Sequence, residues 1–339
     1  MTFLPQTDTE PDTAVTDPVA VHHPRIGRLG RLGRLDPKDL GMAGALVAVV
    51  IGAQIAYSGF LEWNNILVLL SQNAPLGIVA VGMTYVMIAG GFDLSVGAIY
   101  AFAATMFAKV TISSDPWLAA GCALVAGLVF GLVNGILVAR FRINAFIATL
   151  GTASTFGGLA FVYSNSVPQT PTDPGFMKLG QNSWGPLPIA VWLMIAIVLV
   201  GGSVLSKTVY GRSLYAIGGN EDAARLAGLR VGVLRTSAFA TVGVLAALAG
   251  IIQASRLGVG QADIGGSIPL DAIAVVVIGG TSLFGGEGAV WRTVIGLFIL
   301  GAITNVFQSL AVDSNIQSVA KGAIVIGAVA LDAWLRKRR

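Results

Sequence analysis

Long runs of apolar residues alternate with short polar connections along the whole chain. Each run has about 20 residues, the length at which an α-helix crosses the roughly 30 Å hydrocarbon core of a bilayer. The strands of a membrane β-barrel would be shorter and would alternate apolar with polar residues. The pattern therefore predicts an all-α integral membrane protein of about ten transmembrane helices. The predicted helices lie near residues 40–60, 66–89, 94–112, 117–139, 143–163, 187–206, 236–255, 264–284, 290–311 and 318–335.

The eighth run, residues 264–284, is the weakest because Pro269 and Asp271 lie inside it. The distribution of Lys and Arg nevertheless supports it, since cytoplasmic connections carry an excess of these residues. Removing the eighth run would move the basic cluster 336–339 to the outer side. We therefore predict that both termini are cytoplasmic, and leave open whether the eighth run is broken or re-entrant. With ten helices, the Lys and Arg residues left on the outer half, out of 21, are Lys109, Lys178, Arg256 and Lys321.

Composition agrees with a membrane location, because 55% of the residues are hydrophobic and only 11% are charged. A soluble domain of this composition would expose large apolar patches. The net charge of +4 does not indicate nucleic-acid binding, since the cations cluster beside predicted spans, where they meet anionic lipid. We expect residues 1–38 to be a disordered cytoplasmic tail with a basic juxtamembrane end. Residues 39–335 would form the transmembrane domain, and 336–339 a basic cytoplasmic end.

Residues for catalysis are missing from the predicted transmembrane domain. The only histidines, His22 and His23, lie in the tail, which excludes a histidine-based triad or metal site in the membrane. The nearest approach to a phosphate-binding loop, residues 201–208, has Ser206 where that motif requires glycine, and it follows a predicted membrane helix instead of a strand. We predict no catalytic residue, no metal and no cofactor bound by this chain. Transport is the function class that remains.

Polar residues inside apolar spans are candidates for a transport path, although helix packing is the alternative for each of them. Gln72 and Asn73 precede Pro75, which frees backbone groups and leaves open whether the second helix is broken there. Thr149, Thr152 and Thr155 recur every three residues and so share one face of the fifth helix. These five polar residues are our candidates for the path.

Two glycine turns are expected on the same side of the membrane. The first contains Gly90, Gly91, Asp93 and Ser95. We favour capping of the third helix by Asp93 or Ser95 over contact with a ligand. Both turns follow a Pro-Leu pair at a similar interval, which leaves an internal repeat open. The second turn, between the eighth and ninth helices, contains Gly279, Gly280, Gly285 and Gly286.

Residues 207–235, here called the charged segment, form the one long charged interruption between apolar runs. The positive-inside rule places this segment in the cytoplasm. A short helix is predicted at its centre, because two alanines favour a slim helix and Gly228 can end it with a left-handed residue. The segment is either a docking site or a solvated loop. The candidate docking residues are Asn220, Glu221, Asp222, Ala223, Ala224 and Gly228.

Four blocks of sequence, in order along the chain, carry a resemblance to a known family. They are GMTYVMIAGGFDLSVGAI (82–99), RINAFIATLGT (142–152), YGRSLYAIGGNEDAARLAGL (210–229) and AVVVIGGTSLFGGEGAV (274–290). The chain resembles the ribose-type permeases, the inner-membrane subunits of bacterial ATP-binding-cassette (ABC) importers for ribose, xylose, arabinose, galactose and related sugars.

This resemblance implies that the chain is a permease for a sugar and works with other proteins. The implied partners are a second permease subunit, identical or related, separate ATPase subunits that use the ATP, and a periplasmic sugar-binding protein. The charged segment would dock the ATPase: importers carry Glu-Ala-Ala, three residues and Gly there, and Asp222 replaces the Glu while keeping its charge. The alternatives are a permease for another neutral solute, such as a nucleoside or polyol, and a stand-alone secondary carrier.

Overall fold

The computed structural model describes residues 37–337, and this part of the chain is mostly helical. The predicted tail up to residue 36, and Arg338 and Arg339 of the basic end, lie outside the described residues. A 3₁₀ turn at Pro174–Met177 and a hairpin of β1 (Ser183–Trp184) and β2 (Leu187–Pro188) lie between Ser164 and Ile189. The helices are α1 Pro37–Ala56, α2 Trp63–Ile88, α3 Val96–Thr111, α4 Pro116–Ala139, α5 Ala145–Ser164, α6 Lys178–Gln181, α7 Ile189–Lys207, α8 Val209–Gly219, α9 Glu221–Leu226, α10 Val231–Leu257, α11 Ile268–Ile278, α12 Val290–Ser309 and α13 Ser314–Lys337.

Each predicted apolar run overlaps one of these helices. Among the described residues, six helices are long and apolar enough to cross a membrane: α2, α4, α5, α7, α10 and α12. Shorter apolar helices occupy Leu40–Ala56, Val96–Thr111 and Ile268–Ile278. A mostly helical membrane protein is thus confirmed, whereas ten crossings and the cytoplasmic position of both termini stay predictions.

The sequence left open whether the second and eighth helices are broken, and the structure gives a different answer for each. α2 is continuous through Pro75, whose side chain is buried among its neighbours. α11 has only 11 residues, so its rise of about 16 Å is roughly half of the hydrocarbon thickness. The eighth run therefore does not form one full-length helix, because the chain turns at Gly279 and Gly280 and continues without helix to α12.

α10 lies at the centre of the fold and packs against α2, α3 and α4. Its contact with α4 depends on Gly127, Gly131 and Gly135, which recur every fourth residue and so line one face of α4. A side chain at Gly131 would come 2.5 Å from the carbonyl oxygen of Phe239 in α10. Small residues at this spacing let membrane helices approach to backbone contact. The end of α4 and the start of α10 are thereby held together beside the charged segment.

The charged segment is mostly helical, which the sequence predicted only for its centre. α8 precedes α9, and α10 begins inside the segment at Val231. α8 is fixed by tertiary packing, because Leu214 and Ile217, three residues apart, are both fully buried.

Candidate functional site

The central helix of the charged segment, α9, is closed at both ends by its own hydrogen bonds. At the start, the Asn220 side chain accepts a bond from the backbone N–H of Ala223 at 2.9 Å. At the end, Gly228 has the left-handed conformation predicted for it, with φ of 83°. The N–H of Gly228 donates to Arg225 (3.0 Å) and the N–H of Leu229 donates to Ala224 (3.1 Å). These two bonds form a Schellman motif, so α9 is a defined helix even though it has only six residues.

One face of α9 is fully accessible. Asp222 and Ala223 are exposed, and the side chain of Leu226 is 90% exposed. Ala224 points inward and is only 5% exposed, so one of the two alanines packs internally instead of facing a partner. Leu226 was missed in the sequence, although an apolar residue within a charged segment was the available signal. The accessible face therefore combines a carboxylate with one large apolar side chain.

Glu221 makes two ion pairs, one within α9 and one that connects α9 to α10. Its carboxylate contacts Arg225 at 2.7 Å and Arg235 of α10 at 2.8 Å. Arg235 also lies 3.5 Å from the carbonyl oxygen of Ala89, at the end of α2. Partial burial alone would raise the pKa of Glu221, but hydrogen bonds and charges from Arg235 and Arg225 outweigh it and hold the pKa below its usual value. Glu221 is therefore ionised near neutral pH and links α9 to α10 and α2.

A second connection is a contact between glycines, here called the glycine junction: Gly90, Gly218, Gly285 and Gly286. The N–H of Gly286 donates to the carbonyl of Ile88 at 3.0 Å. A methyl group on Gly218 would overlap that same carbonyl oxygen and come 2.6 Å from the Gly286 nitrogen. The end of α8 thus touches both glycine turns, two residues before α9 begins.

The two glycine turns lie in contact, on one side of the molecule. Of the six glycines predicted for these turns, Gly90, Gly280, Gly285 and Gly286 have a left-handed backbone, which favours glycine. Gly91 and Gly279 do not have positive φ; Gly279 instead permits close approach to the backbone of Arg292 in α12.

Beside the first glycine turn lies a buried cluster, here called the polar junction, that joins α3, α4 and α5. Asp93 Oδ1 accepts hydrogen bonds from the Ser95 backbone N–H (2.9 Å) and hydroxyl (2.7 Å). The Asn134 side-chain amide donates to the Ser95 hydroxyl oxygen (2.6 Å), and the Thr152 hydroxyl donates to Asn134 Oδ1 (2.7 Å). The Thr149 hydroxyl oxygen accepts from the Leu94 N–H at 3.1 Å. The members Asp93, Ser95, Asn134, Thr149 and Thr152 are all buried.

The polar junction replaces the caps expected for α3. Ser95 is the residue before the helix, but its side chain makes no capping bond, and Asp93 closes a turn at Ser95 instead of reaching the first helical N–H groups. Burial raises the pKa of Asp93 to about 6, although hydrogen bonds from Ser95 and Asn134 oppose this. Its hydrogen bonds connect the start of α3, at Ser95, to Asn134 of α4.

The candidate path residues divide into two groups. Thr149 and Thr152 use their hydroxyls inside the polar junction, and Asn73 donates to the Leu69 carbonyl at 2.8 Å while packing against Gly301 of α12. Gln72 and Thr155 are exposed. Packing thus accounts for Thr149, Thr152 and Asn73. Gln72 and Thr155 keep their polar groups on the surface of the subunit.

Among residues 37–337, no group of three or more His, Cys, Asp or Glu side chains could hold a metal ion. The single cysteine, Cys122, is partly buried and unbonded to another cysteine.

Comparison with known proteins gives consistent matches over most of the chain. The family described as "Branched-chain amino acid transport system / permease component" matches residues 65–329. The ribose import permease protein RbsC of Bacillus subtilis (strain 168) is 41% identical over 296 residues, covering 86% of this chain and 92% of that protein. The Escherichia coli (strain K12) RbsC is 37% identical over 298 residues (85% and 91%). The L-arabinose transport system permease protein AraH of Escherichia coli (strain K12) is 36% identical over 300 residues (88% and 92%).

Proposed function

Because the chain belongs to the family described as branched-chain amino acid transport system / permease component, we propose that it is the permease subunit of an ABC importer driven by separate ATPase subunits. The resemblance to ribose-type permeases is confirmed by relatives that are 36–41% identical. The chain is a multi-pass protein of the inner membrane, and its solute is a monosaccharide. Ribose and arabinose are the first sugars to test, since the relatives are named for them.

The observation that carries this proposal is the exposed, doubly capped helix α9. Its caps hold the helix in one conformation, so that a displacement by the ATPase can be transmitted through it. Leu226, which is 90% exposed, supplies an apolar contact for a groove on the ATPase. A coupling site must make different contacts in the two states of the transporter. Closure of the ATPase subunits on ATP would displace α9, and the Glu221–Arg235 pair would pass the displacement to α10 and to the end of α2.

The remaining partners complete the transport cycle. A second permease subunit would close the path, a periplasmic sugar-binding protein would deliver the solute, and ATP would be used by the ATPase subunits alone. Gln72 and Thr155 are exposed on the single subunit. Uncharged hydrogen-bonding groups of this kind suit a polyhydroxylated solute, so we assign these two residues to the path between subunits.

Transport is tested by reconstituting the chain in liposomes with a candidate ABC ATPase and a candidate periplasmic sugar-binding protein. We expect uptake of labelled ribose or arabinose only when ATP and all components are present. Uptake of a nucleoside or polyol instead would replace the sugar assignment. Uptake by the purified chain alone, driven by an ion gradient, would overturn the importer proposal in favour of a secondary carrier.

The role of α9 is tested separately with two variants. Ala223→Arg places a long charged side chain on its accessible face. Gly228→Pro cannot adopt the observed φ of 83° and removes the N–H that bonds Arg225. Both variants should lose ATPase association and uptake, whereas Ala216→Arg, at an exposed position of α8, should keep them. Normal association in both variants would show that the ATPase docks elsewhere.

A further inference from the structure

An apolar groove of about 840 Å³ runs between α4 and α10. Leu128, Leu132 and Ile136 line it from α4, and Val244 and Leu245 from α10. Three hydroxyl-bearing residues line it, Thr236, Ser237 and Thr241. The Ser237 hydroxyl donates to the Leu234 carbonyl and the Thr241 hydroxyl to the Ser237 carbonyl, so two of the three are already bonded within the protein. The groove therefore offers a ligand almost only hydrocarbon contacts.

A basic crevice of about 950 Å³ lies between the end of α4, the α4–α5 connection, α9 and the start of α10. Glu221 is paired with Arg225 and Arg235. The guanidinium groups of Arg140, Arg142 and Arg230 make no hydrogen bond or ion pair with any other described residue. Five arginines face two carboxylates, those of Glu221 and Asp222, so the crevice has an excess of positive charge.

The groove and the crevice are continuous, because Ala139, Arg140, Gly232 and Val233 line both. Together they form a single cleft that is apolar along the helices and cationic at one end. We propose that this cleft binds one anionic phospholipid, with an acyl chain along the groove and the phosphate at Arg140, Arg142 and Arg230.

The chemistry of the cleft matches this lipid in both parts. Guanidinium groups bind phosphate oxygens through paired hydrogen bonds, and they do so with less loss of hydration than an ammonium group. The charged segment is expected on the cytoplasmic side, where anionic lipids attract basic groups next to the membrane. A free phosphate would leave the groove empty, and an acidic peptide would not extend between two membrane helices. The lipid goes beyond the proposed function, and its phosphate would lie against the base of α9.

The head-group contacts are tested by native mass spectrometry of the full-length chain titrated with phosphatidylglycerol, phosphatidylethanolamine and glycerol phosphate. We expect preferential binding of phosphatidylglycerol, no competition by glycerol phosphate, and about a fivefold loss of affinity for each of Arg140→Gln and Arg142→Gln. Arg212→Gln is the matched control, since Arg212 is exposed on α8 outside the cleft, and it should bind normally. Equal binding of the zwitterionic lipid, or equal loss in the control, would overturn the proposal.

The apolar part is tested by filling the groove. Val244→Trp should weaken phosphatidylglycerol binding, whereas Val125→Trp, at a position of α4 that is 60% exposed outside the groove, should not. Full competition by glycerol phosphate would mean that the crevice holds a free anion. A dimer that Val244→Trp disrupts, with no lipid bound, would mean that a second copy fills the groove. Either result overturns the lipid proposal. The importer proposal is decided by a separate measurement, sugar uptake, so the two proposals can fail independently.

Discussion

The accessible helix α9 and the polar junction lie on the same side of the molecule but use their polar groups differently. The hydrogen bonds that cap the two ends of α9 are local, joining residues at most five apart, and they leave Asp222, Ala223 and Leu226 accessible on one face. In the polar junction the bonds join Asp93, Asn134 and Thr152, which are far apart in the chain, and all of these side chains are buried.

This difference separates two roles for polar residues in a transporter. A helix that satisfies its own ends can keep a face for a partner without losing its shape. A buried network that satisfies all its members holds helices in one arrangement, and a missing member leaves a costly unpaired group. Changes in α9 should therefore affect coupling with little effect on stability, and changes in the polar junction should do the reverse.

The largest effect should come from Gly218→Ala, because this residue lies beside α9 but is packed like the interior. Its new methyl group would overlap the Ile88 carbonyl oxygen, and backbone cannot rotate out of the way. We expect a loss of at least about 3 kcal/mol in the free energy of unfolding, measured by thermal unfolding in detergent, together with loss of uptake.

Gly219→Ala is the matched control for this change, because a methyl group at Gly219 would meet no atom within 4 Å. It should unfold and transport like the unsubstituted chain. Equal stability of the two variants would show that the glycine junction is not packed tightly enough to transmit movement.

The next effect concerns Asp93 in the polar junction. Asp93→Leu removes the acceptor for the Ser95 N–H and hydroxyl and leaves buried donors unpaired, at a cost of about 3 kcal/mol. Asp93→Asn keeps one acceptor oxygen and should stay within about 1 kcal/mol of the unsubstituted chain. If both variants are equally stable, the junction does not hold the helix ends.

The same residue gives a pH dependence with a definite sign. With a folded-state pKa of about 6 against an ordinary 3.8, the folded chain binds the proton more tightly than the unfolded chain. Stability should therefore rise by about 1 kcal/mol as the pH falls from 7 to 5, and Asp93→Asn should remove this rise. Glu221 titrates at lower pH because its pKa is held below 4.5. A rise that persists in Asp93→Asn would assign the titration to another group.

A smaller effect, confined to coupling, is expected for Leu226→Ser. The side chain is 90% exposed, so the melting temperature should not change. If Leu226 is buried by the ATPase, its loss should weaken association by about 2 kcal/mol, roughly thirtyfold, measured with purified ATPase subunits. Leu310→Ser is the control, since Leu310 is half exposed at the far end of α12. Unchanged association in Leu226→Ser would contradict the assignment of this face.

The same contrast explains how much of the molecule the sequence could predict. The apolar runs and the glycine that ends α9 are local signals, and these predictions agree with the helices observed except at the eighth run, where α11 has only 11 residues. The inward position of Ala224 and the bond between Asp93 and Asn134 depend on tertiary packing between residues distant in the chain. No local pattern contains this information. The helix α8 was missed for the same reason, because its apolar residues are buried only by tertiary contacts.

The smallest effect distinguishes two threonines on the same helix. Thr152→Val removes the donor to Asn134 Oδ1 and should cost about 1 kcal/mol of stability. Thr155 is exposed and bonds only the Gly151 carbonyl of its own helix, so Thr155→Val should leave stability unchanged. If Thr155 lines the path, this variant should raise the KM for sugar uptake while ATPase association stays normal. An unchanged KM would mean that Thr155 faces lipid or the other subunit instead of the path. If Thr155→Val lost as much stability as Thr152→Val, the distinction between buried and exposed polar groups on α5 would be wrong.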